Sequence, residues 1–127
     1  MALLLDTQII IWIEESPAKI STVAKSHIFS GELAYFSAAS VWEIAIKIKT
    51  GKLSLQQPLD VFVANLYNGH RLLLLDISLP HIYYTQQLPL HHRDPFDRLL
   101  IAQSLTENIP VVTSDMIFDT YGVNRIW

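Results

Sequence analysis

Met1-Ala2-Leu3-Leu4-Leu5-Asp6-Thr7 begins the chain with a continuously apolar run cut off by an acid and a hydroxyl. A short run with no polar alternation fits a strand covered on both faces, and Asp-Thr directly after it is a helix-start signal. The same event recurs further on: Glu43, Asp97 and Asp115 each sit where another hydrophobic element starts or stops. Carboxylates at the edges of apolar elements are costly to gather in one place unless a cation joins them, which makes a divalent-metal site the leading idea.

Outward from that strand, Ser16-Pro17 resembles an N-cap with proline at the first helical position, predicting a helix through Val23 and Ile28 to a stop at Gly31. Leu33 to Ser37 reads as a second strand. Ser37 and Ser40 both offer caps for a largely buried helix over Val41 to Lys49, whose lysines fall in its last turns, as the helix dipole favours. Pro58 to Asn68 fits a helix stopped by Gly69, and Arg71 to Asp76 a third buried strand ending in an acid. Ser78 to about Leu88 is predicted helical. Asp94-Pro95-Phe96-Asp97 starts a strongly apolar helix, Ile109 to Thr113 supplies a fourth strand, and a short last strand is expected near Val123 to Ile126. Strands alternating with helices imply βαβ crossovers and an α/β fold with a mostly parallel sheet. The loops at the carboxyl ends of such strands are the usual place of chemistry.

The 127 residues fit a single domain over 1–127 with one core of ordinary size. Half of them are hydrophobic and 17% charged, which excludes a disordered acidic or basic tail. With no cysteine, disulfides, thiolate metal sites and thiol nucleophiles are all excluded and the redox compartment is left open; nothing requires export, so the cytoplasm is the default expectation. The N-terminal apolar run lacks a basic flank and stops at Asp6, and nothing approaches the roughly 20 apolar residues of a membrane span. No targeting signal is read. A formal charge of −3 argues against gripping nucleic acid by bulk charge, although an acidic site neutralised by metals gives the same total.

Each acid has a plain alternative as a helix cap. Asp94 fits an N-cap with Pro95 at the first position and Asp97 at the third, and Ser40-Val41-Trp42-Glu43 matches a capping box. Coincidence of place weighs against capping alone: Asp6, Asp76 and Asp115 follow predicted strands at one end of a parallel sheet, and helix starts bring Asp97 and Glu43 there too. Mg²⁺ or Mn²⁺, hard ions that take oxygen ligands, would hold such a group ionised. Asp76 ranks lower, because Ser78 and Pro80 suggest a turn that an acid can cap.

Trp12, Trp42 and Phe96 lie in apolar helical contexts and read as core or interface rather than base-stacking platforms. His91-His92-Arg93 is balanced between a solvated loop and contact with a phosphate backbone. As zinc ligands, adjacent histidines without a spaced partner are a poor signal. Lys47, Lys49 and Lys52 end a helix, or else form a basic rim for a ribonucleic-acid strand. No Gly-x-Ser-x-Gly elbow and no phosphate-binding glycine loop occurs among the four glycines.

Four blocks together resemble a known family: Leu3-Leu4-Leu5-Asp6-Thr7, then Ser37 through Lys47 around Trp42-Glu43, then Arg93-Asp94-Pro95-Phe96-Asp97-Arg98-Leu99-Leu100-Ile101-Ala102-Gln103, then Val112-Thr113-Ser114-Asp115. Their order and separations are similar to those of a PIN domain of the VapC toxin type, and the resemblance spans essentially the whole chain. It implies a PIN-like three-layer fold, with a short sheet flanked by helices. It also implies a metal-dependent endoribonuclease, the toxin of a two-component toxin and antitoxin module, inhibited by a small partner protein and commonly a homodimer. Position by position, Asp6 matches the first family acid, Glu43 the second, Asp97 the third and Asp115 the fourth. Asp94 either assists the metal or caps the helix, capping with support of the metal from behind being the favoured reading, and Thr113 and Ser114 are expected to hold a carboxylate or water near Asp115. On this reading Asp6 and Asp97 bind one Mg²⁺ or Mn²⁺ directly, Glu43 and Asp115 bind a second or orient the attacking water, and His92, Arg93 and Lys47 are the candidate RNA contacts.

Two other classes stay in view. A haloacid-dehalogenase-like phosphatase also opens with a strand ending in Asp, but Gln8 stands where its second Asp belongs. A non-catalytic module would use the apolar helices to dock a partner and the acids only as caps.

Overall fold

The computed structural model describes residues 2–127. Its elements in chain order are β1 (Ala2–Leu5), α1 (Thr7–Glu15), a 3₁₀ turn (Pro17–Lys19), α2 (Thr22–Ile28), β2 (Leu33–Ser37), α3 (Ala38–Lys49), α4 (Leu59–Asn68), β3 (Leu73–Leu75), α5 (Leu79–Gln87), α6 (Pro95–Glu107), β4 (Val111–Val112), a second 3₁₀ turn (Met116–Tyr121) and β5 (Arg125–Ile126). The five strands form one sheet in the order β3-β2-β1-β4-β5, and every pairing is parallel. The expected α/β layering is therefore present, and helices cover both faces.

Alternation along β1 builds both cores. Leu3 and Leu5 point with Ala34, Phe36 and Val112 toward α1, α2 and α4, where Ile9, Ile13, Ala24, Phe62 and Leu66 complete one buried cluster. Leu4 and Val111 point the other way, into a second cluster with Leu100, Ile101 and Ala102 of α6 and with Phe118. Leu3, Leu4 and Leu5 are all fully buried, which is why the run tolerates no polar residue.

The chain lays β2 and β3 on one side of β1 and then crosses to place β4 and β5 on the other. The strand order thus reverses between β1 and β4. In parallel sheets the crevice outside the carboxyl ends at such a reversal is where ligands bind. Asp6 directly follows β1, and Asp115 lies three residues beyond the end of β4, so the reversal brings these two acids to the same crevice.

Several expectations are corrected. Ser16-Pro17 opens only the short 3₁₀ turn; the cap of α2 is Ser21, whose hydroxyl accepts the Ala24 N–H at 3.1 Å. Ser37, not Ser40, caps α3, accepting the Ala39 N–H at 3.1 Å, so Ser40 and Glu43 lie inside the helix and form no capping box. Nor is α3 largely buried: Trp42 is 61% exposed, and only a stripe including Ser40, Glu43 and Ile44 is covered. β3 is an edge strand rather than a buried one, with Leu73 and Leu74 exposed. Gly51 turns the chain after α3 at φ +74°, a conformation that favours glycine.

Candidate acidic site

Asp6 is placed by β1 and α1 together. Its N–H bonds to the carbonyl of Val112 in β4, and its carboxylate Oδ1 accepts the Ile9 N–H at 2.9 Å, capping α1. The residue is 7% exposed. Burial pushes its carboxyl up to about 7, helped by the charges of Asp97 and Asp115 and opposed by hydrogen bonds from Thr113 and Ile9. Thr113 therefore serves two carboxylate positions, because its Oγ1 also accepts the N–H of Asp115 at 3.0 Å. Ser114 is exposed and lies outside this network.

Asp97 stands in the first turn of α6. Asp94 caps that helix, its Oδ1 accepting the N–H groups of Phe96 (2.8 Å) and Asp97 (3.2 Å), as expected. Burial again comes first in raising the Asp97 carboxyl to about 6, with the Asp94 and Glu43 charges adding and His92 opposing. Asp115 caps the second 3₁₀ turn through the Ile117 N–H at 3.0 Å. Glu43, in the second turn of α3, is 6% exposed; its Oε2 pairs with Lys47 Nζ at 3.1 Å, while its Oε1 is buried without a hydrogen-bond partner.

The four expected acids therefore act on one another: Asp6 responds to Asp97 and Asp115, and Asp97 to Glu43. Asp76 does not join them. It is exposed beyond the edge strand, and its carbonyl accepts a bond from Gln103 at 3.3 Å. Lys47, a candidate RNA contact, pairs with Glu43 and stays nearly half exposed, and Arg93 is exposed on the loop before α6. His92 lies inside the cluster, its Nε2 being 2.7 Å from Asp97 Oδ2 and 3.9 Å from Asp115 Oδ2. The ligand atoms of these three residues all lie within 4.8 Å of one another.

Two supports escaped the sequence reading. Thr7 donates its hydroxyl to Ser40 at 2.8 Å, a buried bond that ties the start of α1 to α3 beside the acids. Arg98 bonds three carbonyls of the loop before α6 and that of Thr85 in α5; being the lone cation of its helix is the signal that would have marked it. Trp42 and Phe96 meet edge to face at 5.3 Å, half-open to solvent at the rim.

The donor chemistry suits a hard divalent cation. Carboxyls held near neutrality by burial and mutual repulsion, beside a buried carboxylate oxygen with no donor, are stabilised once a doubly charged ion joins them.

Among described residues no helix is long and apolar enough to cross a membrane. No curated protein matches the chain. Solved structures share its fold. A chain of VapBC2 from Rickettsia felis, bound to a promoter DNA fragment, superposes with a TM-score of 0.72 at 17% identity, covering 100% of both chains. DNA-bound VapBC from Salmonella typhimurium gives 0.64 at 17% identity, covering 98% of this chain and 96% of that one. FitAcB from Neisseria gonorrhoeae gives 0.59 at 18%, covering 97% and 95%. The PIN domain family model matches residues 3–124, which takes in all four acids and every strand except β5 and the first residue of β1, so this chain belongs to the PIN domain family.

Proposed function

We propose that the chain is a metal-dependent endoribonuclease of the VapC type, a single-domain cytoplasmic toxin held in check by a small antitoxin. The observation that carries the chemistry is the convergence of Asp6, Glu43, Asp97 and Asp115 at the reversal between β1 and β4. Asp6 and Asp97 would hold Mg²⁺ or Mn²⁺, with Glu43 and Asp115 holding a second ion or orienting the attacking water. When bound, such an ion acidifies water, polarises the scissile phosphate and offsets charge on the leaving 3′ oxygen in an in-line displacement.

The protein's own part is preorganisation. One oxygen of Asp6 is committed to capping α1, which fixes the direction of the other. Asp94 performs the same service for the helix that carries Asp97, without entering the metal shell. Arg93 and the lysines Lys49 and Lys52, all exposed, would meet phosphates of an unpaired or looped strand, which bends into a cleft closed to a duplex.

The antitoxin is supported by the resemblance of the fold to chains of VapBC complexes, and both it and a homodimer by exposed apolar side chains that a partner would cover, Trp42, Ile82 and Tyr83 among them. Membership of the PIN family leaves the phosphatase alternative without support. Incubating single-stranded RNA with the purified protein and Mn²⁺ or Mg²⁺, with and without chelator, tests the proposal. Cleavage should require the ion and vanish in Asp6→Asn and Asp97→Asn. Undiminished cleavage by both variants would refute the site. Calorimetric Mn²⁺ binding that does not depend on Asp6 and Asp97 would favour the non-catalytic module.

A further inference from the structure

The loop joining α5 to α6 is tied down more firmly than a connector requires. Arg98 donates from Nη2 to the carbonyls of Thr85 (2.8 Å) and Leu88 (3.2 Å), and from Nη1 to those of Pro89 (2.8 Å) and His92 (3.2 Å). Tyr121 donates its hydroxyl to Pro89 O at 2.8 Å and accepts the His92 N–H at 2.7 Å. Both backbone polar groups of His92 are thereby held, one by each residue. A histidine that merely brushed a phosphate would need no such fixing; one that ligates an ion does.

The side chain is aimed accordingly, with Nε2 at 2.7 Å from Asp97 Oδ2 and 3.9 Å from Asp115 Oδ2. Glu43 supplies an independent pointer. Its Oε1 is buried and unpartnered in a residue 94% covered, and its charge reaches Asp97, so this carboxylate keeps an oxygen free to meet a cation besides Lys47.

We propose that His92 is a metal ligand, joining Asp97 and Asp115 through Nε2, and that this nitrogen donor makes the centre favour a first-row transition ion such as Mn²⁺ over Mg²⁺. Mg²⁺ is held through oxygen, whereas imidazole suits the transition ions. The proton shared between Nε2 and Asp97 Oδ2 in the metal-free protein leaves to solvent or is exchanged to Nδ1, and ligation then uses the neutral ring with its hydrogen on Nδ1 and the Nε2 lone pair on the ion. The inference rests on the acidic site proposed above and adds a residue outside its carboxylate set.

Electron spin-echo modulation of the Mn²⁺-loaded full chain tests it, alongside Mn²⁺ and Mg²⁺ affinities from competition titration. The wild type and His91→Gln should show the ¹⁴N modulation of a bound imidazole. His92→Gln should lose it, and its preference for Mn²⁺ over Mg²⁺ should fall about tenfold or more. Mn²⁺ binding that Asp97→Asn abolishes, but with no ¹⁴N modulation in the wild type, overturns the ligand role while leaving the acidic site standing. Mn²⁺ binding that is unchanged in Asp97→Asn overturns both. The wild-type spectrum decides even if the His92 variant folds poorly.

Discussion

The carboxylate of Asp6 caps helix α1 through the Ile9 N–H at 2.9 Å while the same side chain is buried against the charges of Asp97 and Asp115. Capping and ion binding are thus not rival explanations for this residue. The cap sets the orientation in which the carboxylate meets its neighbours, and there it suffers their repulsion.

Asp6→Asn keeps an equally good N-cap and removes a charge whose carboxyl is lifted to about 7. In chelator at pH 7.5 the variant should be more stable than the wild type by on the order of 1–3 kcal/mol, visible as a melting point several degrees higher, while RNA cleavage is lost. A lower melting point would show that the charge does not strain the metal-free fold.

Stability should depend on pH with a definite sign. Asp6 and Asp97 carry folded-state carboxyls raised to about 7 and about 6 from 3.8, so the native state binds more protons than the unfolded chain between those limits. Their contribution is fully present at pH 3.8 and below, and it is lost as pH rises toward 7. Urea midpoints of the metal-free protein should therefore fall from about pH 4.5 to pH 7.5. Saturating Mn²⁺ should flatten the slope, because the ion takes the place of those protons. A midpoint that climbs over this range in chelator would contradict the assignment.

Lys47→Gln leaves the Glu43 carboxylate without its 3.1 Å partner. Because Lys47 is nearly half exposed, the loss should stay near 1 kcal/mol rather than the larger cost of breaking a fully buried pair. Added Mn²⁺ should shrink the difference from wild type in thermal melts, since the ion then neutralises the same carboxylate. An unchanged gap would place Glu43 outside the ion's reach.

Arg98→Met strips charged donors from three carbonyls of the loop before α6 and from that of Thr85 in α5. Some will be met by water, so a loss of about 2–3 kcal/mol is expected from urea unfolding. Amide exchange at Leu88 and His92 should accelerate far more than exchange in β1. Uniform acceleration across the chain would mean that the clamp stabilises the whole fold rather than the loop.

Much of the site was legible because its acids interrupt apolar runs. Leu3-Leu4-Leu5 before Asp6 and Val111-Val112 shortly before Asp115 announce strand ends, and a parallel sheet gathers such ends. Asp94-Pro95 marked the start of α6 for the same local reason, a capping acid before a proline. The misreadings were local as well. Ser16-Pro17 and Ser40-Val41-Trp42-Glu43 carry sound cap signals, yet Ser21 and Ser37 stood nearby and the packing used those instead.

By itself, then, the chain's order of apolar runs and acids determined an α/β fold with carboxylates at one end of its strands, because burial and hydrogen-bond demand act over a few residues. Tertiary structure alone decided where the crossover falls between β1 and β4, that β3 lies at an edge, and that Tyr121 reaches across 29 residues to hold His92 against Asp97. Those contacts join positions far apart in the chain. Their energies come from shapes and charges that meet only once the sheet has closed its order, and no local pattern encodes that meeting.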